Sequence, residues 1–367
     1  MIKKHCFSEE WITGFRKEKK YSKINPPILE KMIIALSLLQ YLVKYDLEFV
    51  FKGGTSLILL LDNTSRFSVD IDILTTQKRE TIEPIFDKII ENSHFSKWTL
   101  DDRRSYKTGI PKAHYEFEFN SVFSKQTNSV LLDILFEESN YPKIQKLPIE
   151  ATWIENTSTS SAQRDKKLTV SVPTVESIIG DKLTAFAPNT TGILYGSGKE
   201  LEIIKQLYDL GNLFDNLKDL KTVNKSFHIF VKQEIEYREL NITANDILDD
   251  IIQTAKLISL REKNKIEPEQ SQFREIQKGL MSFTNFMFSG SFRIDDAINA
   301  SAKVAYLAVK LKEKDFSPLE KYNEQNISDL EIQQTEWNYL NKLKKLPDKS
   351  GFFYWFKTIE LLNRSKN

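Results

Sequence analysis

The chain has 367 residues, 40% of them hydrophobic, which suffices for one large domain or two ordinary ones around a real core. With 52 Lys plus Arg against 51 Asp plus Glu, the formal charge is +1, so no global basic field points to nucleic acid and any RNA contact must be local. A single cysteine, Cys6, excludes an intramolecular disulfide framework and a cysteine zinc cluster, in keeping with a reducing compartment.

The first ten residues lack a signal-peptide apolar core, and no apolar stretch approaches the roughly 20 residues of a bilayer span. A cytoplasmic location without membrane contact is therefore expected. Ser8-Glu9-Glu10-Trp11 reads as an N-cap with acidic first-turn residues, opening a helix to about Lys20. Its basic cluster, Arg16 to Lys20, reads as a solvated face. After Asn25-Pro26-Pro27, the spacing of Ile28, Met32, Leu36, Leu39 and Val43 predicts a second helix, placed behind a sheet. Alternating Leu47, Phe49 and Phe51 then predict a strand up to Gly53-Gly54, with Thr55 and Ser56 capping a short helix through Leu61.

From Arg66 the chain reads Phe67-Ser68-Val69-Asp70-Ile71-Asp72-Ile73-Leu74. Strand side chains alternate, so Phe67, Val69, Ile71 and Ile73 share an apolar face while Ser68, Asp70 and Asp72 share the other. Adjacent carboxylates repel unless a cation sits between them, which points to a divalent metal site. Oxygen ligands with no Cys or His nearby in sequence favour Mg²⁺ or Mn²⁺ over zinc. The glycine turn lets backbone N–H groups approach a phosphate at the positive end of the following helix. Together these features suit a nucleoside triphosphate (NTP) carrying its metal. An Asp-x-Asp alone reads as a solvated polar face; the glycine turn upstream separates the two readings.

Gly53-Gly54-Thr55-Ser56-Leu57 followed by Arg66-Phe67-Ser68-x-Asp70-Ile71-Asp72 resembles the first motif of the AbiEii family of nucleotidyltransferase toxins, within the DNA polymerase β-like superfamily. The resemblance implies metal-dependent transfer of a nucleotidyl group from an NTP, in some members to tRNA acceptor ends. It also implies a helical region ahead of the glycine motif.

Beyond Leu74, residues 78 to 92 carry a helical stripe of Ile82, Ile85, Phe86, Ile89 and Ile90. Tyr115, Phe117 and Phe119 alternate with His114, Glu116 and Glu118 as a half-buried strand, and residues 129 to 136 read as another. In the second, Asp133 stands among apolar residues. An unpaired buried carboxylate costs several kcal/mol, so a partner is expected. The resemblance makes Asp133 the third metal-site carboxylate, with a second possible role in accepting the proton of an attacking hydroxyl. His5, His94, His114 and His228 lack metal-ligand spacing, so a zinc site or triad has little support.

Residues 157 to 163 form a Ser/Thr-rich turn, 168 to 172 a final strand, and Pro173-Thr174 the start of a helix, where the domain change is placed. Val175, Ile178, Ile179, Lys182, Leu183 and Phe186 follow helical spacing, with Lys182 beside the apolar face. A snorkelling lysine is one reading. The resemblance to the family's lysine motif implies instead that Lys182 contacts nucleotide phosphates. Residues 188 to 199 form a glycine-rich connection without Walker A spacing, read as a flexible loop. In the helical stretch 199 to 214, Lys205 and Asp209 lie four apart, as in a surface ion pair. The same residues resemble the family's fourth motif, Arg-x-Lys-Asp-x-x-Asp-Leu. Ile203 and Gln206 replace its arginine and first aspartate, while Lys205 and Asp209 match.

Helices are also predicted over 223–239, 244–263, 272–288, 295–314, 328–343 and 352–362. Phe283, Phe286, Phe288, Phe292 and the run Phe352 to Phe356 read as core. Short basic groups, Arg103-Arg104, Arg164 with Lys166-Lys167, and Lys342 with Lys344-Lys345, are candidates for local phosphate contact.

The expected fold class is α+β. Residues 1–172 would form a nucleotidyltransferase domain with a mixed sheet holding Asp70, Asp72 and Asp133, and residues 173–367 a mainly helical domain completing the nucleotide cleft with Lys182 and Asp209. Gly53, Gly54, Thr55, Ser56, Ser68, Lys182 and Lys205 are the expected nucleotide-binding residues. The expected activity is Mg²⁺- or Mn²⁺-dependent nucleotidyl transfer to RNA such as a tRNA 3′ end, by the toxin-like component of a toxin–antitoxin or phage-defence system with a cognate antitoxin. The alternatives are transfer to a small-molecule or protein hydroxyl, and a non-catalytic NTP-binding module.

Overall fold

The computed structural model describes residues 1–61, 65–101, 111–157, 167–263 and 266–364. The chain divides into two compact units, Met1–Thr174 with Phe286–Gly290, and Val175–Asn285 with Ser291–Asn367.

The first unit is built on a mixed sheet. Its strands are β1 (Val50–Lys52), β2 (Ile71–Leu74), β3 (Phe95–Leu100), β4 (Lys112–Asn120), β5 (Thr127–Leu135), β6 (Ile144–Pro148) and β7 (Thr169–Pro173), in the order β3-β4-β5-β2-β1-β7-β6. The pairs β2–β5 and β1–β7 are parallel; the other neighbours are antiparallel. Strand periodicity sorts the side chains cleanly. Phe51, Ile73, Ile134 and Ala113 pair across β1, β2, β5 and β4, and all are buried. The opposite face is half-exposed and polar. The architecture is α+β, as the sequence pattern predicts.

Helix α1 (Glu9–Gly14) starts where expected, with Ser8 Oγ accepting from the Trp11 N–H at 3.2 Å. It stops at Gly14 rather than running to Lys20, since glycine costs about 1 kcal/mol in a helix, and two 3₁₀ turns follow. Helix α2 (Pro26–Lys44) packs against β5. Its length and composition would serve for a bilayer span, which corrects the expectation that no stretch approaches that size. It is a core helix: 67% of its most apolar window is buried inside the protein. Its polar residues are also satisfied internally. Buried Glu30 accepts from Ser121 Oγ and the Val122 N–H, both at 2.6 Å, and Gln40 bonds Ile2 N–H and Asn156. Helix α3 (Gly53–Leu60) follows β1, and α4 (Arg79–Asn92) packs on β3.

Two strands carry little sequence signal. In β3 the alternation is broken by a register shift between Phe95 and Lys97. In β6, an edge strand, Ile144 is 43% exposed and the strand ends in a proline.

The second unit is helical: α5 (Val175–Ala185), α6 (Glu200–Asn216), α7 (Leu220–Arg238), α8 (Ala244–Leu260), α9 (Glu269–Phe283), α10 (Ile294–Lys312) and α11 (Ser350–Arg364). Pro173 ends β7, so the helix starts at Val175. The predicted helix over 328–343 is instead irregular chain followed by a 3₁₀ segment, Asn338–Lys345. Trp337, Leu340 and Leu343 are buried at intervals of three, the 3₁₀ repeat rather than the α repeat, and Asn341 bonds both backbone groups of Ile332. The predicted helix over 272–288 ends at Phe283, because the chain from Phe286 leaves to join the first unit. There Phe67 N–H donates to Phe286 O, Phe288 N–H to Ser65 O, and Phe288 packs on Phe67 and Trp153. The aromatic clusters expected in the core are largely there: Phe283, Phe288, Phe292 and Phe352 to Trp355 are buried.

Candidate active site

The glycine turn and the Asp-x-Asp strand are built against each other. Gly53 has φ +75°, a left-handed conformation that favours glycine. A Cβ at this position would lie 2.1 Å from Asp72 Oδ2, and one at Gly54 would lie 2.5 Å from Arg66 Nη2 and 2.9 Å from Ser68 Oγ. Gly53 is favoured by its backbone conformation as well as by close approach, and Gly54 by the close approach of the Arg66 and Ser68 side chains. Arg66 is buried and donates to Phe67 O at 3.0 Å.

Thr55 and Ser56 do not cap α3, because the helix already starts at Gly53. Both are fully buried. Thr55 Oγ1 donates to Asp70 O at 2.6 Å and bonds Ser68 Oγ at 2.9 Å, while Ser56 Oγ donates to Gly53 O at 2.8 Å. The Thr55 hydroxyl ties the turn to the segment ahead of β2, and that of Ser56 closes the turn on itself.

Strand register brings the polar positions into one row. Lys52 pairs with Asp72, Asp72 with Asp133, and Asp133 with His114, across β1, β2, β5 and β4. Directly paired residues share a face about 5 Å apart, so Asp72 and Asp133 stand side by side. Asp133 has the partner anticipated for it: His114 Nδ1 lies 2.6 Å from Asp133 Oδ1. The aspartate is part-exposed rather than buried, at 25% for its side chain. His114 and Lys52 were not singled out by sequence, since neither lies near the acids along the chain and only the register joins them.

Asp70 precedes the ladder, which starts at Ile71 paired with Leu132. Among the described residues no three His, Cys, Asp or Glu side chains converge closely enough to hold a metal by themselves, so the expected three-acid cluster is not closed by protein groups alone. The donor set still fits a hard cation. Mg²⁺ commonly takes one or two carboxylates and completes its shell with water and substrate phosphates.

In the second unit, Lys182 on α5 and Asp209 on α6 form a buried ion pair, Nζ to Oδ2 2.8 Å, with side chains 8% and 1% exposed. Gln206, at the position of the motif's first aspartate, accepts from the same Nζ at 3.0 Å. Lys182 is therefore buried and paired rather than snorkelling. Asp209 is not part of a surface pair, and Lys205 Nζ donates to Glu202 at 2.7 Å. Gly180 lets α5 touch α7: a Cβ there would lie 2.4 Å from Ser226 Cβ, and Ser226 Oγ donates to Ser177 O at 2.6 Å.

The first half of the 188–199 connection is pinned rather than loose. Asn189 and Thr190 give three hydrogen bonds to buried Asp250, whose carboxyl is pushed up by burial against the pull of those donors. Of the basic groups, Arg103-Arg104, Arg164 and Lys166 lie outside the described residues, as does most of the 157–163 turn. Lys167 pairs with Glu150, and Lys344 bonds Ser328 O and lies over the Phe352 ring.

A mixed sheet that seats a Gly-Gly helix turn against a strand opening just after Asp70 and carrying Asp72, with a further aspartate in register beside it, is the arrangement of a nucleotidyltransferase. The chain belongs to the family described as nucleotidyl transferase AbiEii toxin, type IV toxin–antitoxin system, whose sequence model matches residues 37–288. Among solved structures, a Helicobacter pylori protein described as a candidate nucleotidyltransferase aligns at 15% identity and TM-score 0.44, over 79% of this chain and 97% of its own. JHP933 from Helicobacter pylori aligns at 16% and 0.42, over 78% and 95%. No curated protein matches the chain.

Proposed function

We propose that this toxin-family nucleotidyltransferase moves a nucleotidyl group from an NTP to a hydroxyl of RNA, such as a tRNA 3′ end, with Mg²⁺ or Mn²⁺ at the Asp70, Asp72 and Asp133 carboxylates. The observation that carries the reading is the Lys52–Asp72–Asp133–His114 row abutting Gly53. When bound, a divalent ion supplies charge neutralisation at the phosphates. The protein's own part is positioning and electrostatics, the main demands of phosphoryl transfer.

Backbone N–H groups at Gly53 and Gly54 cradle the triphosphate, stiffened by the inward hydroxyls of Thr55 and Ser56. Asp70 and Asp72 would hold the ion with Asp133 beside them; Asp133 accepts the proton of the attacking hydroxyl as its oxygen bonds to the α-phosphorus and the α–β phosphoanhydride bond breaks, releasing pyrophosphate. Lys182, whose Nζ donates to Asp209 and Gln206, is assigned a phosphate contact by its likeness to the family's lysine motif alone. Lys205 is a secondary contact. A cognate antitoxin, a role in phage defence and a cytoplasmic setting belong to the same reading, the last supported by the single cysteine.

The test is to incubate the purified chain with each labelled NTP, Mg²⁺ and total tRNA. Label should enter tRNA with the wild type and not with Asp70→Asn. Transfer that persists in Asp70→Asn sinks the site assignment; label on protein or small molecules in place of RNA replaces the acceptor; NTP bound without product sinks the reaction.

A further inference from the structure

His114 stands at the outer end of the polar row, beyond Asp133. Five positions on its strand face the same way: Lys112 opposite Leu135, His114 opposite Asp133, Glu116 opposite Leu131, Glu118 opposite Ser129, and Asn120 opposite Thr127. Of these, the His114 position alone stands opposite an acid, and that acid, Asp133, is the residue paired with Asp72 on its other side. The bond is short, 2.6 Å, and lies on the half-exposed face, with side chains 12% and 25% exposed. The ring is largely buried, but it turns Nδ1 to the carboxylate rather than to the apolar side, which packing alone does not require.

Two carboxylates side by side raise each other's energy. Here the pair is flanked on the Asp72 side by Lys52 and on the Asp133 side by His114. With Oδ1 tied to the imidazole, rotation of the Asp133 carboxylate about its Cβ–Cγ bond is restricted, and the direction of its second oxygen is set.

We propose that His114 is a positioning residue for Asp133, orienting that carboxylate for the divalent ion and the attacking hydroxyl. This rests on the reading of Asp133 as a site carboxylate. Partners that orient ligating groups contribute roughly 10- to 100-fold in metal affinity or activity, which sets the expected effect.

The experiment titrates Mn²⁺ into the full chain, with non-hydrolysable analogues of the four NTPs, and reads free Mn²⁺ by electron paramagnetic resonance; turnover is measured in parallel. His114→Ala and His114→Phe, the latter filling the ring volume without a donor, should bind Mn²⁺ about 10-fold more weakly. They should lose kcat with little change in KM for the NTP. His114→Asn keeps an N–H donor at a similar reach and should recover most of both.

Three outcomes overturn the inference. The first is wild-type Mn²⁺ affinity in the Ala and Phe variants while Asp133→Asn loses it, which leaves Asp133 in the site without His114. The second is equal impairment of the Asn, Ala and Phe variants, which makes the histidine a packing residue. The third is wild-type affinity in Asp133→Asn itself, which removes Asp133 and the inference with it. If the alanine variant does not fold by circular dichroism, the Phe and Asn pair decides.

Discussion

Asp72 Oδ2 lies where Gly53 leaves room for it, only 2.1 Å from the point a Cβ would occupy. The turn that would hold phosphate and the carboxylate that would hold its cation thus share one van der Waals boundary. In Gly53→Ala the residue must either abandon φ +75° or push Asp72 aside. The left-handed backbone costs about 1–2 kcal/mol, visible in urea unfolding. Misplacement of the carboxylate should cost on the order of 100-fold in turnover. Near-normal turnover would show that Asp72 is not held by this contact.

Ion removal gives a second expected outcome. The proposed donors are carboxylate oxygens, so chelation should abolish transfer, and Mg²⁺ or Mn²⁺ should restore it while Zn²⁺ does not. Asp72→Asn should raise the Mn²⁺ needed for half-maximal rate and lower kcat on the order of 10²- to 10³-fold. Full activity in the presence of a chelator would remove the metal from the reading.

The Lys182–Asp209 pair is buried deeply enough for one-sided removal to be costly. Asp209→Ala leaves the ammonium with a neutral amide and should destabilise the protein by about 3–5 kcal/mol. The double variant Lys182→Met with Asp209→Leu should regain much of that stability while NTP affinity stays low. Urea titrations with nucleotide-binding curves separate the two effects. A small loss for Asp209→Ala would mean that water reaches the pair.

Gly180 sits two residues before that lysine, with no room for a methyl against Ser226 and the Phe227 backbone. Gly180→Ala should cost about 1–3 kcal/mol by overpacking and shift Lys182 with its helix. The check is the melting temperature beside the KM for NTP. A rise in stability would show that α5 and α7 separate freely.

Acid stability carries a sign that can be worked out from Asp315. Burial alone would raise its pKa, but the Lys310 ammonium at 2.8 Å and two donors from Ser317 outweigh it and lower the value to about 2, against 3.8 unperturbed. Between those values the unfolded chain binds more protons, so this contribution is complete above about pH 5 and is lost as pH falls towards 2. Solvent screening of the part-exposed carboxylate holds it to about 1 kcal/mol or less. Stability measured from pH 5 to pH 2 should fall less steeply in Asp315→Asn than in the wild type; parallel curves would remove Asp315 from the account.

What the sequence shows of this site is local. Period-two alternation marks β2, β4, β5 and β7, and helical stripes mark most of the second unit, because each signal lies within one element. The Gly-Gly turn and Asp-x-Asp are legible for the same reason. The pairing of Asp133 with His114 and Asp72 is not, since register is set by the whole sheet. Lys182 with Asp209 joins two helices 27 positions apart, and an i,i+4 partner for Asp209 is the natural misreading. Ser328 to Leu343 has apolar spacing but folds as irregular chain ahead of a 3₁₀ segment, and the strand edges β3 and β6 have too little buried surface to write a pattern.

The segment Phe286–Gly290 belongs with the sheet although more than a hundred residues separate it from β7. It bridges Arg66 through Met287 and sets Phe288 among Phe67, Trp153 and Tyr21. The family match also ends at residue 288. During synthesis, then, the sheet emerges early but its last core residue leaves the ribosome only after helices α5 to α9 of the helical unit. A nascent or truncated chain ending before Phe286 contains every proposed site residue and lacks the plug beneath Arg66 and Phe67. For a chain of a toxin family, this delays completion of the reactive unit until translation is well advanced.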